Sequence, residues 1–295
     1  MPPSIPVSAT AEAALALPDG RPPGRRILRT VLSRPRGAVG ALIVGLLLGI
    51  GVAAPVLAPS DPFRITGPSL SPPTGEHPMG TDALGRDLLS GVIVGTRSAS
   101  VVVASVGALV LVIGLVIGTL AGYAGRWVDD VLMRVTEFVQ VLPRFFLIIV
   151  IVAMWGPERH KLIIALGITS WPILARVVRA EVLSLSRRDF VDAARAGGSS
   201  GLRIVTRELL PNLLPVTMTY VGLVVAQGLL LEASLGYLGL ADQNVMTWGI
   251  LAGQAQRFLR VAWWLALFPG AAIAVTVVGL NLLADSLADA ISGRR

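Results

Sequence analysis

Few side chains in this 295-residue sequence are equipped for acid–base or ligand chemistry: it holds two histidines, one lysine and no cysteine. Without cysteine there are no disulfides, thiolate metal sites or cysteine nucleophiles. A phosphate-cradling loop needs Gly-Lys-Ser/Thr, whereas Lys161 follows His160, so ATP is not bound that way. His77 has no second histidine or carboxylate at helical spacing, and no metal site is predicted. No nucleophile, base and orienting group converge, so no catalytic residues are assigned. What remains is charge set inside apolar segments, namely Arg144 and Glu232, and one polar, arginine-bearing interruption, DFVDAARAGGSSGLRIVTRELLPNLLP, from Asp189 to Pro215.

That interruption reads as two short helices joined by a break. In the first, Phe190, Ala193, Ala194 and Gly197 recur at i, i+3, i+4 and i+7, forming one thin face. Asp189 and Asp192 stand where an N-cap and an N3 acid belong. Gly197 and Gly198 tolerate φ > 0, so the helix is predicted to stop there. Ser199 or Ser200 then caps a second helix, in which Leu202, Val205 and Leu209 share one face and Arg203 and Arg207 another. Pro211, lacking an amide donor, ends or kinks it. A helix-turn-helix with a bare alanine face is built to be held by a partner; the plainer reading is a connecting loop with a cationic face.

The elements that position these residues are membrane spans. A composition of 54% hydrophobic and 15% charged residues is not that of a soluble domain. The formal charge of +7 lies in arginines beside apolar runs, without an aromatic-interleaved basic tract, so nucleic acid is not a predicted partner and lipid is. Residues 1–24 mix proline, alanine and serine as a mobile tail does, within an N-terminal segment 1–37 ahead of a transmembrane domain 38–295. Arg21, Arg25, Arg26, Arg29, Arg34 and Arg36 precede the first span, Ala38 to Leu57, and place the N-terminus in the cytoplasm. An external loop, 58–97, follows; within it Asp82 is placed to cap an interfacial helix carrying Leu84, Leu88 and Leu89. Further spans run from Ser98 to Tyr123, Val131 to Trp155, Leu162 to Val182 with a kink at Pro172, and Leu213 to Leu235. A sixth follows Trp263 and Trp264, which stand at an aromatic belt. Arg176, Arg179, Arg187 and Arg188 put the 189–211 loop inside, and Arg294 and Arg295 leave the C-terminus there too. Arg144, near mid-bilayer, faces a partner or a watery passage, or else snorkels or pairs with Glu137. Glu232, near the outer end, lines or gates a passage or ties helices together, with the tie favoured.

The order Asp-Ala-Ala, three residues, Gly198, nine residues, then Glu-Leu-Leu-Pro ending at Pro211 resembles the EAA loop of ABC importer permeases. It departs twice, with Asp192 for the usual Glu and Glu208 where an apolar residue is usual. HPMGTDALGRDLLSGVIVGTR (77–97), GTLAGYAGRWVDDVLMRVTEF (118–138), LLLEASLGYLGL (229–240), MTWGILAGQAQRFL (246–259) and the closing WWLALFPGAAIAVTVVGLNLLADSLADAISGRR resemble strings of the C-type permeases of dipeptide and oligopeptide importers. The resemblance covers about Ala38 to Arg295. It implies an all-α, six-span, type I importer permease with a cytoplasmic coupling helix between helices 4 and 5. On that helix Asp192, Ala193, Ala194, Arg195, Gly198, Arg203, Arg207, Leu210 and Pro211 would engage an ATPase. It also implies partners: a homologous second permease, two ABC ATPase subunits or one two-domain ATPase that bind ATP and Mg²⁺ in this chain's stead, and an extracytoplasmic substrate-binding protein. Small peptides are the expected cargo, with nickel or another metal chelate as the alternative. A secondary transporter or channel would show intramembrane carboxylates on an ion path or an inverted repeat, and neither is evident.

Overall fold

The computed structural model describes residues 29–292; Arg21, Arg25, Arg26, Arg294 and Arg295, which support the predicted orientation, lie outside them. Among the described residues all regular structure is helical. The order is α1 (Pro35–Leu57), α2 (Leu88–Ala124), α3 (Arg126–Val141), α4 (Arg144–Trp155), α5 (Arg159–Leu185) and α6 (Asp189–Ala196). Then α7 (Gly201–Ile204) runs through a π turn (Val205–Leu209) into α8 (Leu210–Tyr237), followed by α9 (Trp248–Ala255) and α10 (Trp264–Ser292). Five helices are long and apolar enough to cross a bilayer: α1, α2, α5, the continuous 201–237 helix and α10. The pair α3 and α4, counted as one crossing, makes six.

In lipid there is little hydrophobic drive to bring helices together, so small residues and close packing do it. Gly114, Gly118 and Gly122 repeat every fourth residue on α2 and lay it against α5. A Cβ added at Gly118 would sit 2.5 Å from the Ala175 carbonyl oxygen, and one at Gly114 would sit 2.8 Å from the Leu174 side chain. The two backbones meet almost directly. Gly40 of α1 and Gly279 of α10 make a second such crossing, where added Cβ atoms would lie 2.6 Å from Leu283 N and 2.3 Å from Ile43. Ser100 Oγ of α2 lies 2.8 Å from the Thr96 carbonyl of its own helix and 3.0 Å from the Leu47 carbonyl of α1, so its hydroxyl also links the two helices.

Several sequence expectations change. The second span starts at Leu88 rather than Ser98, and its 37 residues give a rod of about 55 Å, well beyond the ~30 Å of hydrocarbon. Its cap is Asp87, whose carboxylate accepts from Ser90 N at 2.8 Å. Asp82 instead accepts from the N–H groups of Leu84 at 2.8 Å and Arg86 at 2.9 Å, closing a turn. Gly85 at φ +76 then reverses the chain, so no separate interfacial helix forms: Leu84 lies in the turn, while Leu88 and Leu89 open α2.

The third span is broken, with α3 and α4 bent by 84° at Leu142–Pro143. Proline removes a donor and pushes its predecessor into extended backbone, and Leu142 adopts φ −76, ψ 132. Pro172, by contrast, is carried inside α5 without ending it. The tryptophan pair also divides. Trp263 is 54% exposed, as an aromatic belt requires, but Trp264 is 4% exposed and donates its Nε1 hydrogen to the Thr81 carbonyl at 3.2 Å. Trp264 therefore clamps the 58–87 loop onto the bundle.

Candidate functional site

The 186–211 segment is anchored by three fully buried side chains. Val191, Ile204 and Leu209 are fully buried and join the core around Val182 and Leu185. Each such burial contributes about 1.5–3 kcal/mol, so the segment is fixed to the bundle at several points along its length. The helix α6 ends in a Schellman arrangement: Gly198 N–H reaches the Arg195 carbonyl at 3.0 Å and Ser199 N–H the Ala194 carbonyl at 3.0 Å. Gly198 sits at φ +77, the left-handed conformation anticipated for it, while Gly197 at φ −74 needs no glycine. Ser200 occupies the N-cap position of α7, without a side-chain capping bond.

The outward surface is formed by Asp192, Ala193, Arg195, Gly198, Arg203, Arg207 and Pro211, all exposed. Ala194 and Leu210 are half-buried and pack on the core. The structure therefore turns the predicted thin face: Ala193 and Gly197 look outward, whereas Phe190 and Ala194 look inward. Asp192 pairs with Arg195 at 3.1 Å on the surface. Asp189 is the first residue of α6 and Arg188 its N-cap, so the predicted capping role of Asp189 is not realised. In the second helix Leu202 is 76% exposed rather than sharing a buried face with Val205 and Leu209. The π turn explains this, since one extra residue per turn rotates the apolar face between residues 204 and 209. It also absorbs Pro211, whose missing N–H would leave a gap in a regular helix; Leu210 N–H bonds instead to the Val205 carbonyl, and Asn212 Nδ2 donates to the Glu208 carbonyl at 2.6 Å. The chain thus neither ends nor breaks at Pro211.

Arg144 is the first residue of α4 and donates to Ser170 Oγ of α5. It does not pair with Glu137. Glu232 is 4% exposed on α8. It lines a small enclosed space with Ser98 of α2, Arg159 of α5, and Asp242 and Thr247 of the segment that follows α8. Arg159 Nη2 donates to the Ser98 carbonyl at 3.4 Å and Arg159 N–H to Asp242 at 3.4 Å, so the cluster knits α2, α5 and α8 at the end opposite α6. Glu232→Gln is expected to shift the thermal midpoint little. Glu232→Leu, which leaves the half-buried Arg159 with Asp242 as its one neighbouring carboxylate in this cluster, is expected to lower the midpoint measurably; equal midpoints for the two variants would remove the tie from Glu232. One contact had no signal in the spacing: His77 Nδ1 meets Asp87 Oδ1 at 3.0 Å, because the loop doubles back on itself.

The chain is a bundle of five membrane-length helices, six crossings with α3 and α4 counted as one, with a short helix pair packed on its core at one end. Residues 114–295 match the model of the family described as binding-protein-dependent transport system inner membrane component, and the chain belongs to that family. Among its relatives, the dipeptide transport system permease protein DppC of Alkalihalophilus pseudofirmus is 35% identical over 274 residues, covering 91% of this chain and 89% of that protein. The di/tripeptide transport system permease protein DppC of Pseudomonas aeruginosa is 35% identical over 265 residues, covering 87% and 88%. The probable D,D-dipeptide transport system permease protein DdpC of Escherichia coli K12 is 31% identical over 268 residues, covering 90% of each.

Proposed function

We propose that this chain is the permease subunit of an ATP-driven ABC importer of small peptides, set in the cell membrane with both ends and the α6 loop in the cytoplasm. The relatives named above are peptide permeases by name, and their match spans most of the chain. The observation that carries the mechanism is the mounting of the α6–α7 segment, with small and charged groups outward and Val191, Ile204 and Leu209 locked in the core. An element that passes on a push must move as one body with what it drives. In this reading an ABC ATPase receives the Asp192 to Pro211 surface and supplies the ATP and Mg²⁺ chemistry. A homologous permease completes the passage, and a binding protein delivers peptide from outside.

Proteoliposomes holding the complete complex test this. Dipeptide uptake is expected to require ATP, the ATPase and the binding protein together. Uptake that persists without the ATPase overturns the reading, as does a cognate binding protein that takes a metal chelate and no peptide.

A further inference from the structure

The crevice between the broken span and α5 holds charge that nothing else in the described chain answers. A cavity of about 540 Å³ there is lined by Gln140, Pro143, Arg144, Thr169, Pro172 and Arg176, among others. Arg144 reaches only the hydroxyl of Ser170, and its Nε is buried without a hydrogen-bond partner. Arg176 Nη1 donates to the neutral Gln140 Oε1 at 2.8 Å. Among the described residues neither guanidinium has a carboxylate within ion-pair distance. Arg179, one turn further along α5, shows the contrast: it is held by both carboxylate oxygens of Asp129 at 2.5 Å. Glu137 lines the adjoining space with Arg176 and Arg179 without closing an ion pair to either.

A half-buried cation without a carboxylate, as Arg144 is, is expensive inside a membrane span, and such residues mark pathways and ligand sites rather than packing; Arg176, exposed and nine residues from the end of α5, faces the same cavity from nearer that end. The break adds to the field. Pro143 starts α4 in mid-span, so the positive end of that half-helix opens on the same cavity as Arg144. The depth restricts what can answer the charge. Ser170, the partner of Arg144, is eleven residues from the start of α5 and fifteen from its end, or about 16 and 22 Å along the helix. Lipid phosphates lie at the edges of a hydrocarbon layer about 30 Å thick, roughly 15 Å away. A carboxylate carried through the membrane reaches this level, and guanidinium forks suit a carboxylate in a bidentate manner.

We propose that Arg144 and Arg176 form an anion site on the translocation path that receives the C-terminal carboxylate of the cargo, an inference that rests on the peptide-import reading. The chain has no cysteine, which makes the test direct. Thr169→Cys is introduced into the complete complex in proteoliposomes, and its modification on this subunit by sulfonate and trimethylammonium methanethiosulfonates is followed by mass spectrometry. The sulfonate is expected to react about tenfold faster. Arg144→Gln with Arg176→Gln abolishes that preference, and the paired lysine variants retain it. A dipeptide slows the modification and its C-terminal amide does not. Equal rates for the two reagents, or equal protection by dipeptide and amide, overturn the site. Protection by added phosphatidylglycerol but not by dipeptide assigns it to a lipid phosphate and overturns the cargo assignment. Failure of the unsubstituted complex to take up the same dipeptide removes the import reading and with it the cargo carboxylate, while the reagent preference still reports an anion site.

Discussion

Ala193→Trp is expected to leave the chain inserted and paired with its companion permease while weakening ATPase docking roughly 10- to 100-fold, the equivalent of the 1–3 kcal/mol that bulk costs in a fitted contact. Ala193 is exposed on the short α6, beside Gly197 and away from the buried Val191. The added indole therefore meets no neighbour within the chain and interferes only with something seated on it. Ala194→Trp is the informative contrast. That residue packs against the core, so its replacement is expected to lower the amount of folded permease as well as uptake. Co-purification of the ATPase with each variant separates the two cases. Full ATPase recovery and normal uptake with Ala193→Trp would show that the α6 surface is not the seat of the motor.

Gly118→Val carries the largest expected cost to the fold. Its Cβ would be driven to 2.5 Å from the Ala175 carbonyl oxygen and 2.7 Å from Val178 Cβ. A backbone atom cannot step aside as a side-chain tip can, so α2 and α5 must separate along the most intimate seam of the bundle. A loss of about 3 kcal/mol or more is expected, visible as a fall in thermal midpoint and in the yield of detergent-stable protein. Gly45→Ala is the control, since nothing lies within 4 Å of its added Cβ and a helix interior favours alanine over glycine. Equal midpoints for Gly118→Val and the unsubstituted chain would mean that the glycine seam does not hold the helices.

The six crossings were legible because an apolar run of about 20 residues has few other uses in a chain of this composition. The α6–α7 hook was legible too: Gly198 announced its left-handed turn, and the arginines marked the outward face. What escaped depends on contacts distant in sequence or on local changes of helical pitch. Trp264 looks like any interfacial tryptophan until Thr81 is brought beside it. His77 and Asp87 are ten residues apart, and only the folded loop makes them partners. The π turn at 205–209 altered which side chains face inward, an error that 3.6-residue counting cannot detect because the period itself changes. Pro143 and Pro172 show the limit from another side: both are prolines within apolar runs, yet only the first breaks its helix.

The unbroken 201–237 helix spans 37 residues, about 55 Å. Its foot belongs to the hook and its tip carries Glu232. Such a shaft acts as a pointer on a pivot: a tilt of only about 5° at the foot sweeps the tip sideways by about 5 Å, more than the width of an aromatic ring. A nudge too small to disturb the packing beside Val191 would thus be magnified, at the far face of the membrane, into a displacement on the scale of a residue.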